Sequence, residues 1–386
     1  MQRRSLLQSS AAFGLLGLGA CATSSIPSRA KVVVIGGGWG GATAAKYVRL
    51  LSSYKIDVVL IEPADAFVSC PLSNLVLGGS RQLADLTTPY TGLSRAHGVT
   101  VVKDVAAAID TVRKTVTLGR GGSIGYDKLL VSPGVDVRLE SIEGLAAAHA
   151  AGQVLHAWKA GPETVALRRQ LEAMPDGGVY AISVPEQPYR CPPGPYERAC
   201  QVAWYFKNAK PRSKVLILDA NPDVTSKGAL FKKVWAEQYP GMVEFRGQHK
   251  LVGIDARTST LKFEVHEDVK ASVLNVIPPQ RAGAIAAQTG LANQAGNRWV
   301  GVNFQTFEST AAKDVHVIGD AIQIASGMPK SGHMANSHAK VAAAAIVAQL
   351  SGWEPNPKPM LNNTCYSFVD NRNVVHVASV HPQATQ

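Results

Sequence analysis

Long apolar runs are missing from this chain of 386 residues. The best candidate, Ala11 to Ala20, is too short and too diluted by glycine to span a bilayer, and no other stretch is long enough for a transmembrane helix. Among the five cysteines, Cys21, Cys70, Cys191, Cys200 and Cys365, no Cys-x-x-Cys or Cys-x-x-Cys-His occurs. That argues against iron–sulfur, zinc and c-type haem sites within the chain, and no metal site is expected. Repeats with a period of roughly 33 to 45 residues and low-complexity tracts are absent, so a solenoid or a disordered chain is excluded. Acids are few, 28 against 39 Lys and Arg, for a formal charge of +11. Such a surface can steer the protein to an acidic partner or can simply be a solvated basic face. Aromatic residues make up only 6% of the chain and do not interleave with basic ones, so nucleic acid is not an expected partner.

The first 30 residues read as an address. Arg3-Arg4 precede the short apolar run, and Gln2-Arg3-Arg4-Ser5-Leu6-Leu7 resembles a twin-arginine export signal, which implies a periplasmic protein exported folded. Leu18-Gly19-Ala20-Cys21 resembles a lipoprotein cleavage site; Cys21 either carries a lipid or is discarded or left free by ordinary cleavage nearby. An exported protein meets an oxidising compartment, where disulfides are allowed.

What is present is an ordered series of α/β signals. Lys31 to Ile35 is a continuous apolar strand of the kind buried on both faces of a parallel sheet. Gly36-Gly37-Gly38-Trp39-Gly40-Gly41 follows, then a helix over Ala42 to Leu51, then a strand Asp57 to Ile61 that ends at Glu62. Strand, glycine turn, helix, strand and acid form the context in which a glycine motif signals a dinucleotide site. Gly36 permits the tight turn, Gly38 lets the backbone approach a pyrophosphate, and Gly41 packs the helix on the sheet. The helix start offers free N–H groups to phosphates, and Glu62 can accept from ribose hydroxyls. Strands over Val99 to Val102, Thr115 to Leu118 and Lys128 to Val131 close in Ser132-Pro133-Gly134.

A second buried strand, Val179 to Ser183, then leads where another glycine loop would bind nicotinamide nucleotide. The chain instead reads Pro185-Glu186-Gln187-Pro188-Tyr189-Arg190-Cys191-Pro192-Pro193-Gly194-Pro195-Tyr196-Glu197. The electron donor is therefore not expected to be NADH. Asp219, at the end of the strand Lys214 to Asp219, reads as a strand-end or capping residue. Asp314 to Ile318 returns to the first domain and ends in Gly319-Asp320, and Ser331 to Leu350 reads as a helix.

Together these features resemble the glutathione-reductase-like superfamily of FAD oxidoreductases, the pyridine nucleotide-disulfide class. The fold class expected is α/β with two Rossmann-like dinucleotide-binding-type domains and a short C-terminal interface segment. The first FAD-binding part is read as 31–145, the second Rossmann-like domain as 146–275, the second FAD-binding part as 276–352 and the C-terminal segment as 353–386. The resemblance places Asp320 near the ribityl or phosphate groups of the flavin. Four stretches narrow it. Val68-Ser69-Cys70-Pro71-Leu72-Ser73-Asn74, Tyr189 to Arg198, Met328-Pro329-Lys330-Ser331-Gly332 and Asn362-Asn363-Thr364-Cys365-Tyr366-Ser367 resemble the flavoprotein subunit of flavocytochrome c sulfide dehydrogenase, over about Lys31 to Val380.

That resemblance implies FAD bound covalently through Cys70, a redox-active disulfide of Cys191 and Cys365, and Glu197 as a proton acceptor, with Gly319, Asp320 and Lys330 at the cofactor. It implies a c-type cytochrome subunit as partner and sulfide as substrate, oxidised to sulfur or polysulfide. Other readings stay open. Cys191 and Cys365 can form a purely structural bridge, Glu197 can be a helix-start acid, and Cys70 can be a thiol merely near the flavin. Cys200 reads as a small buried residue or an intruder in disulfide exchange. A sulfide:quinone oxidoreductase-like enzyme is the first alternative, although residues after Trp353 show no amphipathic helix to reach quinone. A non-catalytic flavin-binding accessory of a sulfur-oxidation complex is the second.

Overall fold

The computed structural model describes residues 30–382, so the expected export signal and Cys21 lie outside the described residues. Two parallel sheets organise the chain. In the first, the strands run in the order Val315–Val317, Lys128–Val131, Lys31–Ile35, Asp57–Ile61, Thr100–Val102, all parallel. Val32, Val33 and Val34 are fully buried, as expected for a strand covered on both faces. In the second, the order is Val243–Arg246, Lys214–Asp219, Val179–Val184, Val273–Val276, again all parallel. The α/β class with two Rossmann-like parallel sheets expected from the sequence is the class observed.

The first helix runs Trp39–Leu51 and begins three residues before the expected Ala42, because Gly38 already serves as its N-cap. Its buried residues Gly41, Ala44, Ala45 and Val48 form the i, i+3, i+4, i+7 stripe of a core-facing helix. They pack against the helix Gly332–Leu350, whose Ala339, Ala342, Ala343 and Ile346 are fully buried. Small residues on both helices let the two backbones approach closely. Ser331 caps the second helix by accepting from Met334 N at 3.0 Å.

The C-terminal segment, expected from the sequence as a short interface segment, forms a β-hairpin. Met360–Phe368 and Val374–Pro382 pair antiparallel over their whole length. Two domains clamp this hairpin. From the first, Ser331 Oγ meets Asn363 Oδ1 at 2.6 Å, and Ser337 Oγ accepts from Asn362 N at 3.0 Å. From the second, Gln201 Nε2 donates to the carbonyls of Phe368 and Asp370, and the Glu197 carboxylate accepts from Phe368 N. Cys365, on the first strand of the hairpin, is thereby held between the two domains.

Candidate active site

The glycine loop has the geometry its sequence implies. Gly36 adopts φ +91°, a left-handed conformation that favours glycine, and its N–H donates to Ile61 O at 3.0 Å. A Cβ on Gly41 would stand 1.8 Å from Gly36 O, so the helix meets the turn at a distance only glycine allows. The face of Gly38 is open: a Cβ there would meet nothing within 4 Å. Glu62 accepts from Gly37 N at 2.6 Å and from Ala64 N at 2.9 Å, so it braces the loop from the end of the second strand. Tyr90, which nothing in the sequence singled out, lays its ring on Gly37 and donates its hydroxyl to Gly37 O at 3.1 Å.

At the other end of the cradle, Gly319 (φ +76°) turns the chain after the returning strand. The Asp320 carboxyl behind it is buried, which raises its pKa against the opposing pull of Arg190 and Lys330. Its Oδ1 has no hydrogen-bond partner among the described residues. Lys330 is also buried, and burial brings its pKa down to about 7. Its Nζ donates to the carbonyls of Asp320 and Ile322 and lies 3.6 Å from the centroid of the Trp299 ring. Lys330 therefore holds the Gly319–Ile322 turn. An open glycine face at a helix start, a ribose-type acid and a buried carboxyl oxygen left unpaired fit FAD laid from Glu62 past Gly38 to Asp320.

The second sheet has no such cradle. At the strand end where a nucleotide-binding domain would hold its ribose acid, Tyr196 donates its hydroxyl to Asp219 Oδ2 at 2.6 Å. Asn221 donates to Asp219 Oδ1 through its main-chain and side-chain nitrogens, at 2.9 and 2.7 Å. Tyr189, buried beside them, bonds Thr225 at 2.7 Å. Asp219 is thus a saturated strand-end carboxylate, as the sequence suggested, and two tyrosines fill the space above it.

The Pro-rich segment places Cys191 instead. Cys191 sits in the left-handed region at φ +58°, an uncommon conformation for a side chain larger than glycine. Its N–H donates to Lys330 O and its carbonyl accepts from Gly194 N, each at 2.8 Å. These two bonds tie it to the flavin-side turn and to the start of the helix Gly194–Ala209. A Cβ on Gly194 would lie 3.0 Å from the Cys191 sulfur, so the sulfur rests against the positive end of that helix.

Burial raises the Cys191 pKa well above the ordinary thiol value. Cys365 and Glu197 push it further, and Arg190 and Lys227 pull it back. Lys227 and Glu197 also face Cys365, whose pKa is raised by burial, with Lys227 pulling it down and Glu197 pushing it up. Both cysteines are free thiols in this structure.

Cys70 adjoins this group through Arg190. Its sulfur accepts from Ala160 N at 3.4 Å. Arg190 links it to the rest: burial opposes the guanidinium charge, but Cys70, Asp320 and Cys191 together raise the Arg190 pKa. Cys70, Cys191, Cys365, Glu197 and Asp320, far apart in sequence, therefore meet around Arg190 and Lys227. Arg190 lies within the Tyr189 to Arg198 stretch but has no role legible from the sequence, and Lys227 carries no local sequence signal.

Glu197 is 3% exposed, and burial lifts its pKa to about 7 against hydrogen bonds from Phe368 N and Asn74 and the charges of Lys227 and Arg198. A carboxyl of this kind is neutral in the fold at pH 5 but ionised in the unfolded chain above about 4.5. The stabilisation it brings is complete below about 4.5 and lost as pH rises through about 7. Glu197→Gln cannot ionise and keeps the oxygen that accepts from Phe368 N. Relative to Glu197→Gln, the native protein is expected to lose roughly 3 kcal/mol of stability between pH 4.5 and 7, as measured by urea unfolding. A pH-independent difference would contradict the raised pKa.

Two other groups fall outside the site. Cys200 is fully buried, with its pKa raised by burial to about 12, which makes it an inert packing residue and not an exchange partner. His149, His156 and Glu163 come together with His149 Nε2 3.1 Å from the carboxylate, but the two imidazoles stack parallel within 4°. Lone pairs in parallel ring planes do not converge on one ion. His156 Nδ1 instead accepts from Trp158 N at 2.9 Å, which steadies the indole that lies against Gly194.

The fold and cradle define a FAD-dependent oxidoreductase. Residues 30–170 match the pyridine nucleotide-disulphide oxidoreductase family. The fold is similar to that of the sulfide:quinone oxidoreductase of Aquifex aeolicus, with TM-score 0.76, 20% identity, and coverage of 91% of this chain and 87% of that one. Within that class the chain belongs to the flavocytochrome c sulfide dehydrogenase flavoprotein family. Residues 164–278 match the central part of the "sulfide dehydrogenase [flavocytochrome c] flavoprotein chain", and residues 357–386 match "flavocytochrome c sulphide dehydrogenase, flavin-binding".

A curated flavoprotein chain of that name from Chlorobaculum thiosulfatiphilum is 59% identical over 46 residues, 12% of this chain and 94% of that sequence. The mitochondrial sulfide:quinone oxidoreductase of Mus musculus is 24% identical over 330 residues, 80% of this chain and 69% of that protein.

Proposed function

We propose that the protein is the flavoprotein subunit of a periplasmic sulfide dehydrogenase, exported by the twin-arginine route, that oxidises sulfide and passes electrons to a c-type cytochrome. The reading is carried by one observation: Cys191 N donates to the carbonyl of Lys330, whose ammonium holds the Asp320 turn, while Glu197 accepts from Phe368 N on the strand that carries Cys365. In the oxidised protein Cys191 and Cys365 form a disulfide, and FAD is attached through Cys70.

Hydrosulfide attacks one sulfur of the disulfide. The cysteine S–S bond breaks, a new S–S bond forms to the incoming sulfur, and the negative charge moves to the other cysteine as a thiolate. Glu197, with a pKa near 7, takes the proton of the resulting persulfide. The outer sulfur leaves as zero-valent sulfur while the cysteine keeps the bonding pair as a thiolate, and the two thiolates re-form the disulfide by giving up one electron pair. FAD, when bound, accepts that pair and releases it one electron at a time, as a haem acceptor requires. Arg190 and Lys227 surround the pair with positive charge and so favour entry of the anion.

A second reading, sulfide:quinone oxidoreductase, is favoured by the similarity to the mouse and Aquifex enzymes. No helix among the described residues is long and apolar enough to cross a membrane. Anaerobic mixing with each donor and acceptor is the test. Sulfide is expected to bleach the flavin, NADH is not, and horse-heart cytochrome c is expected to reoxidise it faster than decylubiquinone. Bleaching by NADH overturns the proposal, and preference for the quinone transfers it to the second reading.

A further inference from the structure

Among the described residues, Lys227 faces both cysteines, and the reaction above gives it no more than a general attraction for the anion. Its backbone lies in the left-handed region at φ +58°, at the N-cap of the helix Gly228–Gln238. The ammonium reaches across to the C-terminal hairpin. It donates to Cys365 O at 2.7 Å, to Ser367 Oγ at 2.8 Å and to Val375 O at 3.4 Å. It thus grips both strands of the hairpin at the level of Cys365, from the start of the helix Gly228–Gln238 in the second domain.

The surrounding charges give this grip a chemical consequence. Cys365 is faced by Lys227 and Glu197. Cys191 is faced by Cys365, Glu197, Arg190 and Lys227. Arg198, the other cation near Glu197, is spent: its guanidinium donates to Asn74 Oδ1, Asn275 Oδ1 and the carbonyls of His156 and Ala157. Lys227 is therefore the cation acting on Cys365, while Arg190 serves the Cys191 and Cys70 side.

We propose that Lys227 is the positioning residue of the cysteine pair: it fixes the Cys365 main chain and stabilises the thiolate that forms when hydrosulfide opens the disulfide. The proposal rests on the sulfide dehydrogenase reading for its reaction. The step consumes one hydrosulfide and one disulfide and yields one persulfide and one thiolate, so no electrons enter or leave. The charge carried in by hydrosulfide ends on cysteine sulfur. Lys227 neither gives nor takes a proton, since its N–H groups stay committed to the hairpin. It meets the new charge with a fixed positive one.

The test uses the full-length flavin-loaded protein and its Lys227→Met, Lys227→Gln and Lys227→Arg variants, with retained flavin absorbance as the check on folding. After reduction with dithiothreitol, the rate of iodoacetamide alkylation at Cys365 is followed against pH by peptide mass analysis. In Lys227→Met and Lys227→Gln the alkylation midpoint is expected to rise by about one pH unit, a tenfold lower thiolate population below it. Lys227→Arg, which keeps the charge, is expected to stay near the native profile. Sulfide-driven bleaching is expected to slow by about tenfold in the two neutral variants and to recover in Lys227→Arg.

An unshifted midpoint in both neutral variants overturns the proposal. So does an equal shift in all three, which would mark a purely mechanical staple. The alkylation arm needs no sulfide. If sulfide fails to bleach the native protein while the shift is present, the substrate reading falls and the role of Lys227 at the thiols stands.

Discussion

Cys191→Ser is expected to slow sulfide-driven flavin reduction by about 10³-fold or more, which corresponds to roughly 4 kcal/mol of lost barrier reduction. Serine is close to isosteric but forms no disulfide, so hydrosulfide meets no electrophilic sulfur. The substitution should leave the scaffold in place. The left-handed backbone at position 191 is held by the bonds to Lys330 O and from Gly194 N, and neither uses the side chain. Stopped-flow bleaching by sulfide under anaerobic conditions measures the effect, with dithionite reduction as the control that the flavin remains reducible. Rates within a few-fold of the native protein would mean that the pair is a structural bridge, the reading in which it only ties the C-terminal hairpin to the second domain.

Cys70→Ala is expected to abolish acid-stable flavin while leaving FAD bound reversibly. The native protein, precipitated in acid and digested, should show the flavin mass on the Cys70 peptide; the variant should release essentially all of it to the supernatant. Reversible binding should survive because the contacts expected to hold the nucleotide, at Gly38, Glu62 and Asp320, do not involve Cys70. Flavin released by acid from the native protein would show Cys70 to be a neighbouring thiol instead of an attachment point.

Much of the scaffold was legible in the sequence because its signals are local. Lys31–Ile35 is apolar at nearly every position since both faces of a parallel strand are covered, and the glycines follow because Gly36 has φ +91° and a Cβ on Gly41 would stand only 1.8 Å from Gly36 O. Proline and tyrosine in place of a second glycine loop announced that the second sheet lacks a nucleotide cradle, and Tyr196 on Asp219 is how the space is filled. The hairpin Met360–Phe368 with Val374–Pro382 was less visible. Its first strand buries Leu361, Asn363 and Ser367, an alternation in which two of the three inward residues are polar. Those polar residues are matched by Ser331 and Lys227, from parts of the chain that no local window includes.

The sequence by itself determined the α/β class, the dinucleotide fingerprint and the loss of the nicotinamide loop, and through family resemblance it marked Cys70, Cys191, Cys365 and Glu197. Only the tertiary structure decided what surrounds them. It set Cys365 on a hairpin clamped between two domains, placed Arg190 among Cys70, Asp320 and Cys191, and brought Lys227 to the carbonyl of Cys365. It also buried Glu197 deeply enough to lift its pKa to about 7. The physical reason is range. Turn conformation and strand burial are set by neighbouring residues, whereas the protonation of a buried thiol or carboxyl is set by charges and solvent exclusion supplied from distant parts of the chain.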